Sequence, residues 1–249
     1  MSIILNEREW AKDAIQSKEL GKHPYETLTR VAKYYAADYS RKDTRNKLEY
    51  FLIQCQPSIS TVTWGKTLDS AVKYAYKHPL IEIEYLEVTD REMERIDSLP
   101  GRQLRRLAFT LLCIAKFQHT VDPGNPYWVN LPDTEIRKLM NTKASVKRQS
   151  LLYKQLRDAG MIAFSKKVSN LNVQVLFAED GEPVLHIHDF RNLGYQYEKH
   201  HGGNYFECTC CGVTEKIENP NSGRRQKYCH ECAAKMRSKQ KAAFAVRRK

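Results

Sequence analysis

Residues 132–162 read PDTEIRKLMNTKASVKRQSLLYKQLRDAGMI, a stretch that predicts two helices joined by a tight turn. Pro132 and Asp133 suit the start of a first helix with apolar positions at Ile136, Leu139 and Met140. Ser145 suits the cap of a second helix after a turn at 141–145. The expected buried positions of this second helix are Leu152, Tyr153, Leu156 and Ala159. Gly160 favours a left-handed helix end, so both ends of the second helix are marked in the sequence.

The flanking sequence predicts a helix before this pair and strands after it. An apolar helix is expected from Gln103 to about Gln118, then a Pro/Gly-rich loop and a short strand at 127–130. Further strands are expected at 161–164 and 172–177, around a turn at Ser169-Asn170, and at 184–190. With the phrase Asp133-x-Glu135-Ile136 and the ending Ala159-Gly160-Met161-Ile162, this order resembles the winged helix-turn-helix family over residues 102–192. The resemblance implies DNA binding, although similar helical hairpins also occur in modules that bind only proteins.

The second helix of the pair carries the cations expected of a helix that reads DNA. Its N-terminal half would approach base edges in the major groove, where Arg148 can pair with guanine. Gln149 and Ser150 can contact bases if they face outward, and the expected hairpin tip can reach phosphates or the minor groove. The alternative is that these cations only face solvent. The predicted nucleic-acid contacts of this region are Lys143, Lys147, Arg148, Lys154, Lys166 and Lys167.

Five of the seven cysteines lie within residues 208–232. Cys208 and Cys211 form one C-x2-C pair, followed by glycine, and Cys229 and Cys232 form a second one. Two such pairs provide four thiolates on two tight turns, which suits tetrahedral zinc in a closed structural site. The spacing therefore predicts a C-terminal zinc ribbon with Zn²⁺ as its cofactor. Cys210 is either a spare thiol or a replacement for a neighbouring ligand, and His230 is an alternative ligand.

The segments around the second cysteine pair are rich in cations. The loop at 216–227 forms a predicted basic finger with Arg224, Arg225 and Lys227. The tail adds Lys235, Arg237 and five further cations, and it either extends as a helix or stays an arm that orders on nucleic acid. These five named residues are predicted nucleic-acid contacts.

The charge of the 249-residue chain is concentrated in two segments. The formal net charge is +12, and residues 101–160 and 201–249 each hold 11 basic and 4 acidic side chains. Such a local surplus is expected of phosphate binding, because each contact releases counterions. With 41% hydrophobic residues the chain can bury a core, and no apolar run approaches a membrane span. The N-terminal residues become acidic too early for a signal peptide, so we expect a cytoplasmic protein.

Residues 1–79 predict a helical domain. Helices are expected from Asn6, from Pro24, from Ser40 or Asp43, and from about Val62 to His78. The pattern Tyr39-Ser40 … Leu48 … Phe51 … Cys55-x-Pro57 … Trp64 … Leu68-Asp69-x-Ala71 resembles the small helical domains at the C-termini of some phage and plasmid primases. It includes no catalytic residue, so it implies a replication context rather than an activity.

The complete chain resembles an uncharacterised family of phage and prophage proteins, most clearly through Gly101-Arg102-Gln103, Lys147-Arg148-Gln149-Ser150 and the stretch from Asp189 to Tyr197. The resemblance implies a bacterial host cytoplasm. The expected fold is mainly α with small β: a helical domain (1–79), a connector (80–101), a winged helix-turn-helix (102–192), a linker (193–204), a zinc ribbon (205–235) and a basic tail (236–249). The domain boundary is expected near 98–101.

The sequence contains no Gly-rich phosphate loop, no H-E-x-x-H and no nucleophile elbow, so no enzyme is expected. His186 and His188 share a predicted strand face and either bind a metal or face solvent. The leading hypothesis is a non-enzymatic DNA-binding protein acting in replication initiation or transcription control, with residues 1–79 available to a host or phage protein. The alternatives are a phage protein-interaction module or inhibitor that binds a host nucleic-acid enzyme, and an RNA-binding protein.

Overall fold

The computed structural model describes residues 3–165, 172–220 and 226–247. The chain is mainly helical with small antiparallel sheets, as expected from the sequence. It divides into two compact units, Met1–Glu84 and Tyr85–Lys249. Within the described ranges, none of the helices combines the length and the apolar character needed to cross a lipid bilayer.

The first unit is a four-helix domain comprising α1 (Glu7–Ser17), α2 (Pro24–Ala36), α3 (Arg41–Cys55) and α4 (Thr61–Ala75). Asn6 and Ser40 cap α1 and α3 by accepting hydrogen bonds from backbone N–H groups of Glu9 and Asp43. The core contains apolar residues that recur at helical spacing, among them Leu28, Val31, Leu48, Phe51, Leu52, Leu68 and Ala71. Glu7 is also buried, where its carboxylate lies 2.6 Å from Lys33 Nζ and 3.6 Å from Arg30 Nε.

The second unit is built around one long apolar helix. Its elements are β1 (Leu86–Thr89), α5 (Asp90–Asp97), α6 (Arg102–Val121), β2 (Trp128–Val129), α7 (Asp133–Leu139), α8 (Val146–Asp158), β3 (Ile162–Phe164), β4 (Val173–Val175), β5 (Pro183–Ile187), α9 (Leu193–His200), β6 (Tyr205–Glu207), β7 (Thr214–Lys216) and α10 (His230–Arg247). Every residue of α6 from Arg106 to Ala115 is buried. Helices α5, α7, α8 and α9 and strands β1, β2 and β4 pack on α6, which is why it is apolar on nearly all sides.

Three short strands form an antiparallel sheet in the order β2-β4-β3. Val129 pairs with Val173, and Ile162 pairs with Val175. Along the chain the order is α6, β2, α7, α8, β3 and β4, which is the order expected from the sequence. The predicted turn at Ser169-Asn170 lies outside the described residues.

Helix α8 begins and ends at the predicted residues. Ser145 Oγ accepts the Arg148 N–H at 3.3 Å, and Gly160 follows the helix with a φ of 70°. The N–H of Met161 bonds to the carbonyl of Leu156, which with the Gly160 bond to Arg157 completes a Schellman motif. The prediction that Ala159 is buried was wrong, because the chain leaves the helix there and Ala159 is exposed.

The predicted connector at 80–101 contains a strand and a helix that belong to the second unit. Strand β1 pairs with β5, so the segment at 184–190 joins β1 instead of extending the three-stranded sheet. The buried Glu92 carboxylate accepts hydrogen bonds from Lys116 Nζ on α6 and from the backbone N–H of Glu179. These long-range contacts place the boundary between the units after Glu84, and not near 98–101.

The predicted linker at 193–204 contains α9, which packs on α6. Leu193 is fully buried, and Tyr197 packs its ring 5.4 Å from that of Phe109 on α6. Leu193 and Tyr197 are four residues apart, so they lie on the same face of α9, and this face packs on α6. The basic tail was predicted either to extend as a helix or to stay an arm. It continues as α10 to Arg247 and is therefore helical up to that residue.

The cap of α8 provides a test of local stability. We expect Ser145→Ala to lower the opening free energy of the first turn of α8 by about 1 kcal/mol, because the Arg148 N–H loses its acceptor. Native-state hydrogen exchange measures this. The matched control is Ser60→Ala, since Ser60 precedes α4 without a side-chain cap bond. Equal losses at the two sites would contradict the capping assignment.

Candidate metal centre and nucleic-acid interface

Four cysteines converge at the C-terminal end of the second unit. The Sγ atoms of Cys208, Cys211, Cys229 and Cys232 all lie within 4.8 Å of one another, and no disulfide joins them. The Sγ atoms of Cys211 and Cys229 are 3.7 Å apart. Four thiolates at Zn–S bonds of 2.3 Å around a tetrahedral ion would be separated by about 3.8 Å. The donor set and its spacing therefore fit a tetrahedral metal ion.

Local backbone geometry aims both cysteine pairs at one point. Strands β6 and β7 pair, and Cys208 follows β6 with its N–H bonded to the carbonyl of Val213. Gly212 adopts a φ of 72° and returns its N–H to the carbonyl of Cys208, which closes the first turn. Cys232 lies in the first turn of α10, and its N–H points at Cys229 Sγ at 3.4 Å. Two of the four cysteines thus lie in a hairpin turn, and the other two lie at the N-terminus of a helix.

Burial and backbone hydrogen bonds have opposite effects on the pKa values of the clustered thiols. Burial raises the pKa of Cys229 and of Cys232. Burial also opposes ionisation of Cys208, yet hydrogen bonds from the backbone of Cys229, Cys210 and Cys211 lower the pKa of Cys208 to about 6. Burial and hydrogen bonding thus act in opposite directions on the Cys208 thiol, and thiols that are still protonated release their protons when a metal coordinates them.

The other potential ligands lie outside this group. Cys210 is exposed, as is His230, so the structure selects Cys208 and Cys211 as the first pair. His186 and His188 have exposed side chains that line an open polar cleft with Asp189 and His200. Among the described residues, the cysteine group is the one cluster of three or more His, Cys, Asp or Glu side chains close enough for a metal ion.

The outer face of α8 carries the predicted cations. Lys147, Arg148 and Lys154 are exposed around a shallow depression that also includes the 43%-exposed Leu151. The inner face buries Leu152 and Leu156, and Lys147 and Lys154 lie opposite this packed side. Arg148 is one turn before Leu152 and lies at the edge of the packed side, where its Nε donates to Gln103 Oε1 on α6 at 3.5 Å. Lys143 is exposed in the turn before α8.

Gln149 does not belong to this outer face. It is only 2% exposed, and its Nε2 lies 3.5 Å from the Asp133 carbonyl and 3.4 Å from the Tyr153 hydroxyl. The prediction that Gln149 or Ser150 contacts bases depended on an outward orientation, and Gln149 does not meet this condition because it faces α7. Ser150 is exposed, and its Oγ donates to the Val146 carbonyl.

The remaining predicted cations fall into two groups. Lys166, Lys167, Arg224 and Arg225 lie outside the described residues. Lys227, Lys235 and Arg237 are exposed, just before and along the first half of α10. Arg237 Nε donates to the Ala233 carbonyl, so this side chain lies along the helix.

Sequence reasoning missed the side chains that hold the cysteine hairpin against α6. Arg106 is 8% exposed and donates to Glu198 on α9 and to the Tyr205 hydroxyl on β6. Arg102 donates to the same two groups. A signal was present, because Arg105 and Arg106 lie between Leu104 and Leu107 of an apolar helix, and a cation that such a helix buries needs acceptors.

Comparisons of the chain with protein-family models, with curated proteins and with solved structures found no match. The resemblances to a phage protein family and to primase domains therefore stay predictions.

Proposed function

We propose that this chain is a non-enzymatic, zinc-containing protein that binds double-stranded DNA. The single observation that carries the proposal is the solvent side of α8, where Lys147 and Lys154 are exposed opposite the buried Leu152 and Leu156, and Arg148 is exposed at its edge. A helix with cations on its exposed side and leucines on its buried side can enter the major groove while the buried side stays packed on the protein. The basic excess of residues 101–160 supplies attraction for phosphates.

The order of elements supports the assignment of a winged helix-turn-helix. Helices α7 and α8 follow a short strand and precede an antiparallel pair, and the three strands form one sheet. In this proposal α8 is the recognition helix, and the antiparallel pair β3–β4 belongs to the wing. Phosphate contacts from the wing would orient α8 without reading sequence.

The four cysteines would hold zinc in a closed structural site. Cys208, Cys211, Cys229 and Cys232 fill all four positions of a tetrahedral ion, which leaves no position for a substrate. The metal would supply folding energy to a module whose core otherwise contains little besides Val213. The exposed Lys227, Lys235 and Arg237 would then add phosphate contacts from this module.

The first unit would recruit a protein partner in replication initiation or transcription control. Tyr50 and Ile53 on α3 and Val62 on α4 are large apolar side chains exposed to solvent. The unit is nearly neutral in sequence, which favours a protein over a nucleic acid as its partner.

Selection from random duplexes tests the DNA-binding proposal. We expect Arg148→Ala to reduce the preference for the selected site by about 1–3 kcal/mol, because a guanidinium pairing with a base edge is lost. Arg237→Ala, on the cysteine module, should weaken binding to all sequences alike. Retention of the wild-type motif by Arg148→Ala together with its loss in Arg237→Ala would reverse the assignment. Recovery of RNA but no duplex DNA with the purified protein would replace DNA by RNA as the ligand.

A further inference from the structure

Asn192 connects the cysteine hairpin, which consists of β6, β7 and the turn with Cys208 and Cys211, to the turn in front of α8. Its Nδ2 donates to the carbonyl of Thr214 on β7 at 2.9 Å, and its Oδ1 accepts from Asn141 Nδ2 at 2.6 Å. Asn141 begins the turn between α7 and α8. A single side chain therefore bridges the turn that sets the direction of α8 and the metal module, by which we mean the cysteine hairpin together with Cys229 and Cys232.

Both ends of this bridge are fixed by unusual backbone geometry. Asn192 has a φ of 57° and Asn141 a φ of 56°, a left-handed conformation that asparagine tolerates better than most residues. Two residues further on, Gly194 lies so close to the C-terminal end of α7 that an added Cβ would overlap the carbonyl of Met140. The start of α9 is thus packed directly against the end of α7.

Two arginines strengthen the same connection. Arg106 Nη1 donates to the carbonyl of Asn141 at 3.3 Å, while its other nitrogens bond to Glu198 and to the Tyr205 hydroxyl. Arg191 Nη2 donates to the carbonyl of Cys211 at 2.6 Å. The backbone of a candidate metal ligand is thereby one hydrogen bond away from the residue that precedes Asn192.

We propose that the metal module is the support of the α7–α8 turn, and that Asn192 is the positioning residue that transmits this support. Occupation of the four-cysteine site orders Cys211 and Thr214, which hold Arg191 and Asn192, and Asn192 holds Asn141. The orientation of α8 then depends on a metal that touches no part of α8. The consequence for DNA recognition rests on the proposed function, whereas the mechanical link between the two sites does not.

Hydrogen exchange of the full chain, with and without zinc, tests the link. Zinc removal by a chelator should speed exchange of the amides of residues 139–150 by about fivefold or more, because each lost hydrogen bond is worth about 1 kcal/mol. The zinc-loaded Asn192→Gly variant, which keeps the left-handed backbone and lacks the amide, should reproduce that increase. Zinc removal from this variant should add little in the same segment.

The matched control is Lys199→Met, which breaks an exposed ion pair between α9 and Glu207 on β6 and touches no residue of 139–150. Unchanged exchange of 139–150 on zinc removal would overturn the proposal. An equal rise throughout α6 would also overturn it, because the metal would then hold the entire unit. A second readout is the ratio of affinities for selected and scrambled duplexes, which should fall about fivefold in Asn192→Gly and not in Lys199→Met. If no form binds DNA, the proposed function fails, and the exchange result still decides the mechanical link.

Discussion

Replacement of Cys229 by serine is expected to abolish stoichiometric zinc binding and to unfold the segment after residue 205. The reason is that a structural zinc site contributes on the order of 10 kcal/mol to a small module. The cysteine hairpin has little other core, since Val213 and the four thiols are its buried cluster. Elemental analysis of the purified chain should give one zinc per wild-type molecule and none for Cys229→Ser.

The helices around α6 should stay folded in this variant, because the side chains that fill their core come from α5, α7, α8 and α9 and not from the hairpin. Circular dichroism and hydrogen exchange of α6 would measure this. Cys210→Ser is the matched control, since Cys210 lies between two ligands in sequence and is exposed. Loss of zinc in Cys210→Ser with retention in Cys229→Ser would contradict the ligand assignment.

Local signals in the sequence were sufficient for several helix starts. Asn6, Ser40 and Ser145 each accept the backbone bond that their position suggested. The C-x2-C spacing was sufficient for the metal group, because two short turns leave few ways to orient four thiols. These features depend on neighbours within four residues or on one strong motif.

Long-range pairing could not be predicted from the same signals. The strand at 86–89 is half polar and short, and nothing in its own sequence selects β5, almost a hundred residues away, as its partner. Residues 193–204 have polar and glycine residues typical of a linker, yet Leu193 and Tyr197 pack on α6. The burial of Gln149 escaped prediction because the Asp133 carbonyl on α7, which accepts from its Nε2, becomes a neighbour only after α7 and α8 have packed.

Neutralisation of the outer face of α8 is expected to remove most of the DNA affinity. In a variant with Lys147, Arg148 and Lys154 all replaced by glutamine, three phosphate or base contacts disappear while the packed face keeps Leu152 and Leu156. On duplex DNA each phosphate contact contributes about 0.9 to the slope of log K against log salt. The slope should therefore become shallower by between about 2 and 3. Fluorescence anisotropy over a salt series measures both quantities.

The matched control removes the same charge from the first unit. Lys12, Lys66 and Lys73 are exposed on α1 and α4, so their replacement by glutamine lowers the net charge equally without changing α8. Because general attraction depends on net charge and groove contacts depend on position, only the α8 variant should change the salt slope by more than 1. Equal reductions in the two variants would show that α8 makes no specific contact. A reduction confined to the first-unit variant would place the nucleic-acid surface there and return α8 to a role in protein binding.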